Sequence, residues 1–346
     1  MPTTLHSFDH KELESYLRRH VAEFGELEAV TKFPDGQSNP TYRVATNGKT
    51  YVLRAKPPGR LLKSAHQVDR EFRVMSALAA TDVAVPRMLH LSAEDSPIGT
   101  MFFVMEYVDG RIFWNPALPE LSRSERAEVF DAMNRTLAAL HGADPARLGL
   151  ADYGRAGNYF ARQVDRWTRQ YKASELDPLP DVDWIAGWLR DNLPDDSGAV
   201  SVVHGDYRLD NIIFDHDKPQ IAAVLDWELS TLGHPLADLA YQCMQLRLPN
   251  TREFLRGLGG IDRDALGIPA ETDYVENYCA RCGIGPIENW SFYIVFCYFR
   301  LAAILQGVVH RAVEGNASNP GNLDALRRTV AELACDARAA LATDQG

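Results

Sequence analysis

The stretch VSVVHGDYRLDNIIFDHDKPQIAAVLDWE, Val200 to Glu228, decides how the rest of the chain is read. It opens on a β-branched run, Val200 to Val203, which predicts a short buried strand. A polar loop follows from His204 to Asn211. Ile212 to Phe214 predict a second strand, Asp215 to Pro219 a turn, and Ile221 to Leu225 a third strand. Folding the last two about the turn brings Asn211 and Asp226 to one end of a hairpin, with Asp206 on the loop that feeds it. Two carboxylates and a carboxamide are hard oxygen donors, which suit Mg²⁺ and its phosphate ligands better than Zn²⁺. Any one of them alone reads equally well as a turn cap. The three together, at this spacing and on these strands, point to chemistry.

Working outward, a chain of 346 residues can bury a large core in two lobes. Apolar content of 46% and charged content of 24% are those of an ordinary globular protein. The first residues, MPTTLHSFDHKELESYL, show no basic segment followed by an apolar run, so no signal peptide is expected. The apolar stretch Phe292 to Val309 carries Arg300 and Gln306, and an Arg at mid-helix is costly in a bilayer, so a buried core helix is expected and no membrane partner. Five cysteines do not make a disulfide scaffold. Cys279 and Cys282 form a CxxC without a second pair, and read as structural thiols at a helix end. A cytoplasmic location is expected. The formal net charge of −11, with few basic clusters, argues against nucleic acid as a partner. Residues 1–110 carry 13 basic and 14 acidic side chains, so the acidic excess belongs to the remainder, most simply as a solvated face.

Toward the N-terminus, residues 9–24 read as an amphipathic helix through Leu13, Tyr16, Leu17 and Phe24. In KFPDGQSNPTYRV, Gly36, Ser38 and Asn39 form a short loop of the kind whose amides and hydroxyl meet a phosphate, although a surface hairpin has the same composition. Thr41 to Ala45 and Thr50 to Arg54 flank Asn47-Gly48, a type I′ turn signal. Val52 and Arg54 then share a face. A helix is expected from about Ser64 to Ala80, with Val68, Phe72, Met75, Leu78 and Ala79 as its stripe. Glu71 falls inside that stripe and needs a cation, for which Arg54 is the candidate. Met101 to Val108 reads as a strand. Beyond it the pattern is mainly helical, with stretches at Arg123–His141, Asn158–Lys172, Val182–Leu193, Pro235–Leu246, Thr272–Arg281 and Trp290–Val313. The division expected is an N-terminal lobe over 1–105, a hinge over 106–110 and a larger, mainly helical lobe over 111–346.

The segments YVLRAKPPG, HQVDREFRVMSAL, GRAGNYFARQVDRW, HGDYRLDN, VLDWELSTLGHPLADLAY and FRLAAILQGVVHR together resemble the aminoglycoside-phosphotransferase and choline-kinase-like branch of the protein-kinase fold. More narrowly, they are similar to the phosphotransferase domains found alone or fused to acyl-CoA dehydrogenases. The resemblance runs from about residue 33 to 313. It implies an α+β, bilobal, protein-kinase-like fold, with a small antiparallel-sheet N-lobe holding one main helix and a larger, mostly helical C-lobe. It implies transfer of the γ-phosphate of ATP, with Mg²⁺, to a small-molecule hydroxyl. On this pattern Asp206 is the base or hydroxyl-orienting carboxylate, and Asn211 and Asp226 hold Mg²⁺. Arg54, paired with Glu71, takes the place of the phosphate-binding Lys; Ser38 meets phosphate; the backbone of Glu106 and Val108 meets adenine. His204 is structural, and Asp238 anchors the catalytic loop through backbone N–H groups.

Two departures stand out. Arg54 replaces the usual Lys with a planar fork, and Lys56 on the same strand face is an alternative phosphate contact. Asp226 is followed by Trp-Glu instead of Phe-Gly, and Glu228 is either a further metal ligand or a solvated side chain. Asp238 follows Asp226 too closely for a long activation segment, and no Ala-Pro-Glu closes one, which sets protein kinases aside. A nucleotide-binding protein without catalysis is the reading of another class, opposed by the intact Asp206, Asn211 and Asp226. For the acceptor, the fused relatives suggest a hydroxyacyl-CoA or related metabolite and a link to acyl-CoA dehydrogenases. The alternative is an aminoglycoside-type antibiotic. An anionic CoA would need basic residues such as Arg111, Arg162 or Arg208.

Overall fold

The computed structural model describes residues 9–34, 39–57, 66–196, 198–252, 254–314 and 322–343. In chain order the elements are α1 (His10–His20), β1 (Leu27–Lys32), β2 (Thr41–Thr46), β3 (Thr50–Ala55), α2 (Val68–Leu78), β4 (Met88–Leu91), β5 (Phe102–Glu106) and α3 (Arg123–Gly142). There follow α4 (Tyr159–Ser174), α5 (Pro180–Asp191), β6 (Ser201–Val203), β7 (Ile212–Phe214), β8 (Ile221–Val224), β9 (Thr231–Gly233) and α6 (Leu236–Arg247). The chain ends with α7 (Arg263–Leu266), α8 (Glu271–Cys282), α9 (Trp290–Val313) and α10 (Leu323–Thr343). This is the mixed α+β arrangement expected, an antiparallel sheet toward the N-terminus and helices after it. Packing divides the chain into two units, the first of Met1–Arg111, Ile212–His216 and Ile221–Ser230, the second of Ile112–Asn211, Asp217–Gln220 and Thr231–Gly346.

The first unit is built on an antiparallel sheet of order β1-β2-β3-β5-β4. Alternation decides its two faces. Tyr42, Val44, Tyr51, Leu53, Ala55, Phe102 and Val104 form a core with Leu13 and Leu17 of α1. Each fully buried Leu of this kind contributes roughly 1.5–3 kcal/mol. Asp9 caps α1 by accepting the N–H groups of Lys11 and Glu12 at 2.9 and 3.0 Å. The opposite face carries Val52 and Arg54 and is covered by α2, which lies against β4 and β5. On α2 the buried residues are Val68, Glu71, Val74, Met75 and Leu78, so Val74 takes the stripe position expected of the exposed Ala79.

Two expectations change in this unit. Neither Asn47 nor Gly48 has a positive φ, so their turn is not type I′. Asn47 is drawn instead to β1, donating its N–H to Glu26 O at 3.1 Å and accepting from Glu26 N–H at 3.1 Å. The hairpin β7–β8, grouped by sequence with the C-terminal lobe, packs with the first unit. Val224 N–H donates to Ala84 O at 2.8 Å, and Arg111 and Phe214 exchange backbone bonds at 2.7 and 2.8 Å. A Cβ on Gly110 would come 2.3 Å from Phe214 O, which is why that approach needs glycine.

The second unit is helical around α9, which is buried along most of its length and packs against α4, α5, α6 and α10. It is the one helix among the described residues long and apolar enough to cross a membrane. A capping box starts α3, where Ser122 and Glu125 reciprocally satisfy each other's amides. The short pair β6–β9 is antiparallel, with Val202 opposite Leu232. Cys279 and Cys282 are unbridged thiols in the last turn of α8.

Candidate active site

In the first unit, Arg54 leaves β3 toward α2 and meets Glu71, which is 2% exposed. Nε lies 2.9 Å from Glu71 Oε2, an ion pair whose angle falls short of a hydrogen bond. The other Glu71 oxygen accepts from Asn39 Nδ2 at 2.8 Å, and Asn39 Oδ1 faces His66 Nδ1 at 2.9 Å. On its outer side Arg54 Nη2 donates to Asp226 Oδ1 at 2.8 Å and approaches Glu228 Oε2 at 3.5 Å. One guanidinium thus stands among three carboxylates.

The electrostatics follow from that count. Burial pushes the Glu71 carboxyl up to about 7; Arg54 opposes the rise, while Asp226 and Glu228 add to it. Burial works against the charge on Arg54, but the three carboxylates outweigh it and hold the guanidinium protonated. The same neighbours therefore favour the cation and disfavour the anion beside it.

Asp226 sits at φ 63°, ψ 59°, a left-handed conformation that costs a non-glycine residue on the order of 1–3 kcal/mol. The Trp-Glu that follows it fixes this corner. Trp227 is buried and donates Nε1–H to Val224 O at 2.9 Å, and the turn Trp227–Leu229 closes through Ser230 N–H to Trp227 O at 3.1 Å. Lys56 does not join the cluster, since its ammonium pairs with Glu94 at 2.5 Å. At the end of β5, the Glu106 N–H donates to Arg87 O at 3.0 Å and its carboxylate accepts from Arg87 N–H at 2.9 Å. Val108 follows two residues on. Ser38, the expected phosphate contact, lies outside the described residues. Its neighbour Asn39 serves Glu71.

In the second unit the loop after β6 is tied down at almost every atom. Asp238, wholly buried on α6, accepts the N–H groups of His204 at 2.6 Å and Gly205 at 2.8 Å, the anchoring role expected of it. Burial alone would raise the Asp238 carboxyl. Its hydrogen bond to His141, at 3.4 Å, and those to the loop amides hold it below the usual range. His204 Nδ1 accepts the N–H of Asp206 at 3.1 Å, and Gly205 takes φ 85° between them. Tyr207 reaches α3 through its hydroxyl, donating to Met133 O at 2.9 Å.

These bonds present Asp206. Asn211 Nδ2 donates to Asp206 Oδ2 at 2.9 Å and to Asp206 O at 3.0 Å. The Asn211 amide nitrogen is thereby committed to Asp206. Asn211 directly precedes the register pair Ile212–Val224, and Asp226 comes two residues after it. Of the arginines considered for an anionic acceptor, Arg111 donates to Asp215 O at 3.0 Å, Arg162 to Arg155 O at 2.6 Å, and Arg208 pairs with Asp210. Sequence reasoning singled out neither His66 nor His141, and it placed Asn39 in a phosphate loop and not at Glu71. The signal for His141 was its place in the last turn of α3, one turn beyond the buried Leu137 and Ala138.

The chain matches the phosphotransferase enzyme family (APH) over residues 29–270. It is 45% identical to acyl-CoA dehydrogenase family member 10 of Mus musculus over 328 residues, 94% of this chain but only 30% of that protein. The chain thus spans less than half the length of that curated relative. A solved structure from Ralstonia eutropha, described as of aminoglycoside-phosphotransferase type, superposes with a TM-score of 0.86 at 45% identity, covering 96% of this chain and 98% of the other. A thermostable mutant of the aminoglycoside phosphotransferase APH(4)-Ia, in complex with AMP-PNP and hygromycin B, shares the fold at TM-score 0.61 and 15% identity, over 94% of this chain and 98% of its own. With its family match extending from β1 to the start of α8, the chain belongs to the phosphotransferase enzyme family.

Proposed function

We propose that the protein is a small-molecule kinase that moves the γ-phosphate of ATP to a hydroxyl group, with Mg²⁺ as the metal. The observation that carries this reading is the presentation of Asp206: a loop fixed through Asp238, and an Asn211 amide held at 2.9 Å from the carboxylate. In the transfer, the acceptor oxygen bonds to the γ-phosphorus as the bond from phosphorus to the ADP oxygen breaks. The hydroxyl proton goes to Asp206, which has oriented the hydroxyl beforehand. Asn211 and Asp226 offer hard oxygen donors that fit Mg²⁺, which when bound supplies charge neutralisation on the phosphates. Arg54 offers a forked, permanently charged contact for phosphate oxygens, oriented by Glu71. With the Glu106 N–H engaged by Arg87, adenine recognition falls to the Glu106 carbonyl and the Val108 backbone.

For the acceptor, the long relatives named as acyl-CoA dehydrogenases support a hydroxyacyl-CoA or a related metabolite. A 27% identical aminoglycoside 3'-phosphotransferase from Streptomyces ribosidificus supports the second reading, an aminoglycoside. Calorimetry with Mg²⁺ and a non-hydrolysable ATP analogue tests nucleotide binding. ADP release over parallel panels of hydroxyacyl-CoA thioesters and aminoglycosides tests the acceptor. ADP formation stimulated by a thioester is the expected result. Stimulation by aminoglycosides alone reverses the acceptor assignment, and nucleotide binding without stimulation by either panel counts against transfer to these classes.

A further inference from the structure

Arg300 is a charged residue in the middle of the apolar helix α9, and it is 5% exposed. Burying a guanidinium without a carboxylate is expensive. Among the described residues no carboxylate pairs with it, and its Nη1 is buried without a hydrogen-bond partner. What it does touch is specific. Nη2 donates to the carbonyl of Gly205, and the guanidinium lies over the rings of Trp167 and Tyr241, 5.7 and 5.5 Å from their centroids. Two cation–π contacts and one carbonyl hold the guanidinium in place.

The Gly205 carbonyl and the Asp206 N–H belong to one peptide unit. Arg300 holds its oxygen while His204 Nδ1 accepts its N–H at 3.1 Å. That unit is rigid, so holding both of its polar groups fixes the point from which Asp206 departs, while the Asn211 bonds to Asp206 O and Oδ2 hold the rest of the residue. Tyr241, whose ring lies under the Arg300 guanidinium, helps hold that guanidinium at the Gly205 carbonyl. Trp167, Gly205, Tyr241 and Arg300 come from four separate segments, GRAGNYFARQVDRW, HGDYRLDN, VLDWELSTLGHPLADLAY and FRLAAILQGVVHR.

Resting on the phosphotransfer reading above, we infer that Arg300 is a positioning residue, which through the Gly205–Asp206 peptide sets Asp206 against the acceptor hydroxyl. The cost of burying the charge is offset by rigidity at that one carboxylate. Misplacing a catalytic group by about 1 Å costs on the order of 10² in rate.

The test pairs kinetics with hydrogen exchange on the full chain. In Arg300→Met, turnover of Mg·ATP with water as acceptor is expected to fall on the order of 10²-fold, with KM for ATP changed less than about threefold. Arg300→Lys should recover part of the loss, since it keeps a donor and the charge but not the stacking fork. Amide exchange over residues 204–206 should rise on the order of tenfold in Arg300→Met, with the β7–β8 hairpin unchanged. If Arg300→Met fails to fold, Arg300→Lys decides the matter against wild type, with raised exchange over 204–206 and lowered turnover expected. Equal losses in Arg300→Met and Arg300→Lys, or unchanged exchange over 204–206, overturn the inference. A wild-type chain with no ATP turnover counts against the phosphotransfer reading, while the exchange result still decides whether Arg300 holds the loop.

Discussion

The guanidinium of Arg54 bridges inward to Glu71 at 2.9 Å and outward to Asp226 at 2.8 Å, so Asp226 is held by the residue proposed to bind phosphate. Asp226 bends into its left-handed conformation with that contact in place. On the proposed function, a phosphate-binding cation and a metal-binding carboxylate are thereby kept in register before any nucleotide arrives. Preorganisation of this kind lowers the ordering cost of binding.

Arg54→Ala should therefore damage more than a phosphate contact. It leaves Glu71, Asp226 and Glu228 without their shared cation, and breaking a buried pair in this way costs roughly 3–5 kcal/mol. Glu71→Ala should weaken nucleotide use less, because Asp226 still holds one side of the fork. The double mutant should show a coupling of roughly 0.5–3 kcal/mol by thermal or denaturant unfolding. Additive single effects would mean the two side chains act independently. Arg54→Lys should restore charge but only part of the activity, since one ammonium cannot span both carboxylates.

Glu71 also gives the fold a pH dependence with a definite sign. Its carboxyl titrates near 4.5 in an unfolded chain and at about 7 in the folded one. The folded state thus binds the extra proton, and the stability this provides is full below about 4.5 and lost as the pH rises through about 7. Glu71→Gln keeps the carbonyl that faces Asn39 and removes the titration. Melting curves between pH 5 and 8 should show wild type losing stability relative to Glu71→Gln as pH rises. Parallel curves across that range would remove Glu71 as the titrating group.

Much of this was legible in the sequence because the decisive contacts are local. Asp206, Asn211 and the strand after them lie within a dozen residues, where spacing and strand pattern fix relative placement. The span of α9 followed from its apolar run, whereas the anchoring by Asp238 was legible only through the family resemblance. What was missed depends on tertiary neighbours. Asn47-Gly48 carries a type I′ signal, yet Glu26 claims Asn47 through two hydrogen bonds. Asn39 looked like part of a phosphate loop, and only the folded chain shows it serving Glu71. Helix α10 was not foreseen because half of its buried residues, Ala325, Ala334, Ala337 and Ala340, are alanines that weaken the contrast given by Leu326, Val330 and Leu333. Arg300 was noticed only as an obstacle to membrane insertion, since a sequence cannot show which carbonyl a mid-helix guanidinium reaches.

Asp238 offers a test of the loop that spares its reacting groups. Asp238→Asn keeps the volume and one acceptor but turns an NH₂ group toward amides that donate. Leaving a buried N–H unsatisfied costs about 1–3 kcal/mol, so the melting temperature should fall. Exchange should rise at His204 and Gly205, whose N–H groups lose their acceptor. A variant with wild-type melting and exchange would place the restraint on the loop elsewhere, with Arg300 and Tyr207 as the remaining contacts.

The last prediction separates the proposed base from the proposed metal ligand. Asp206→Asn retains shape and the ability to accept from Asn211, but cannot take a proton, and a general base is worth roughly 10²–10⁴ in turnover. Affinity for Mg·ATP should stay near wild type, because Asp206 touches the acceptor and not the metal in this reading. Asp226→Ala should do the reverse. It removes a charged oxygen donor and one of the carboxylates that steady Arg54, so Mg²⁺-dependent nucleotide binding should be lost while the fold survives on Glu71 and Glu228. Calorimetry with and without Mg²⁺ reads the binding arm, and ADP release at saturating nucleotide reads the turnover arm. If nucleotide affinity collapses in Asp206→Asn, Asp206 belongs to the metal site. If it is unchanged in Asp226→Ala, the hairpin carboxylate is no metal ligand, and its role reduces to holding Arg54.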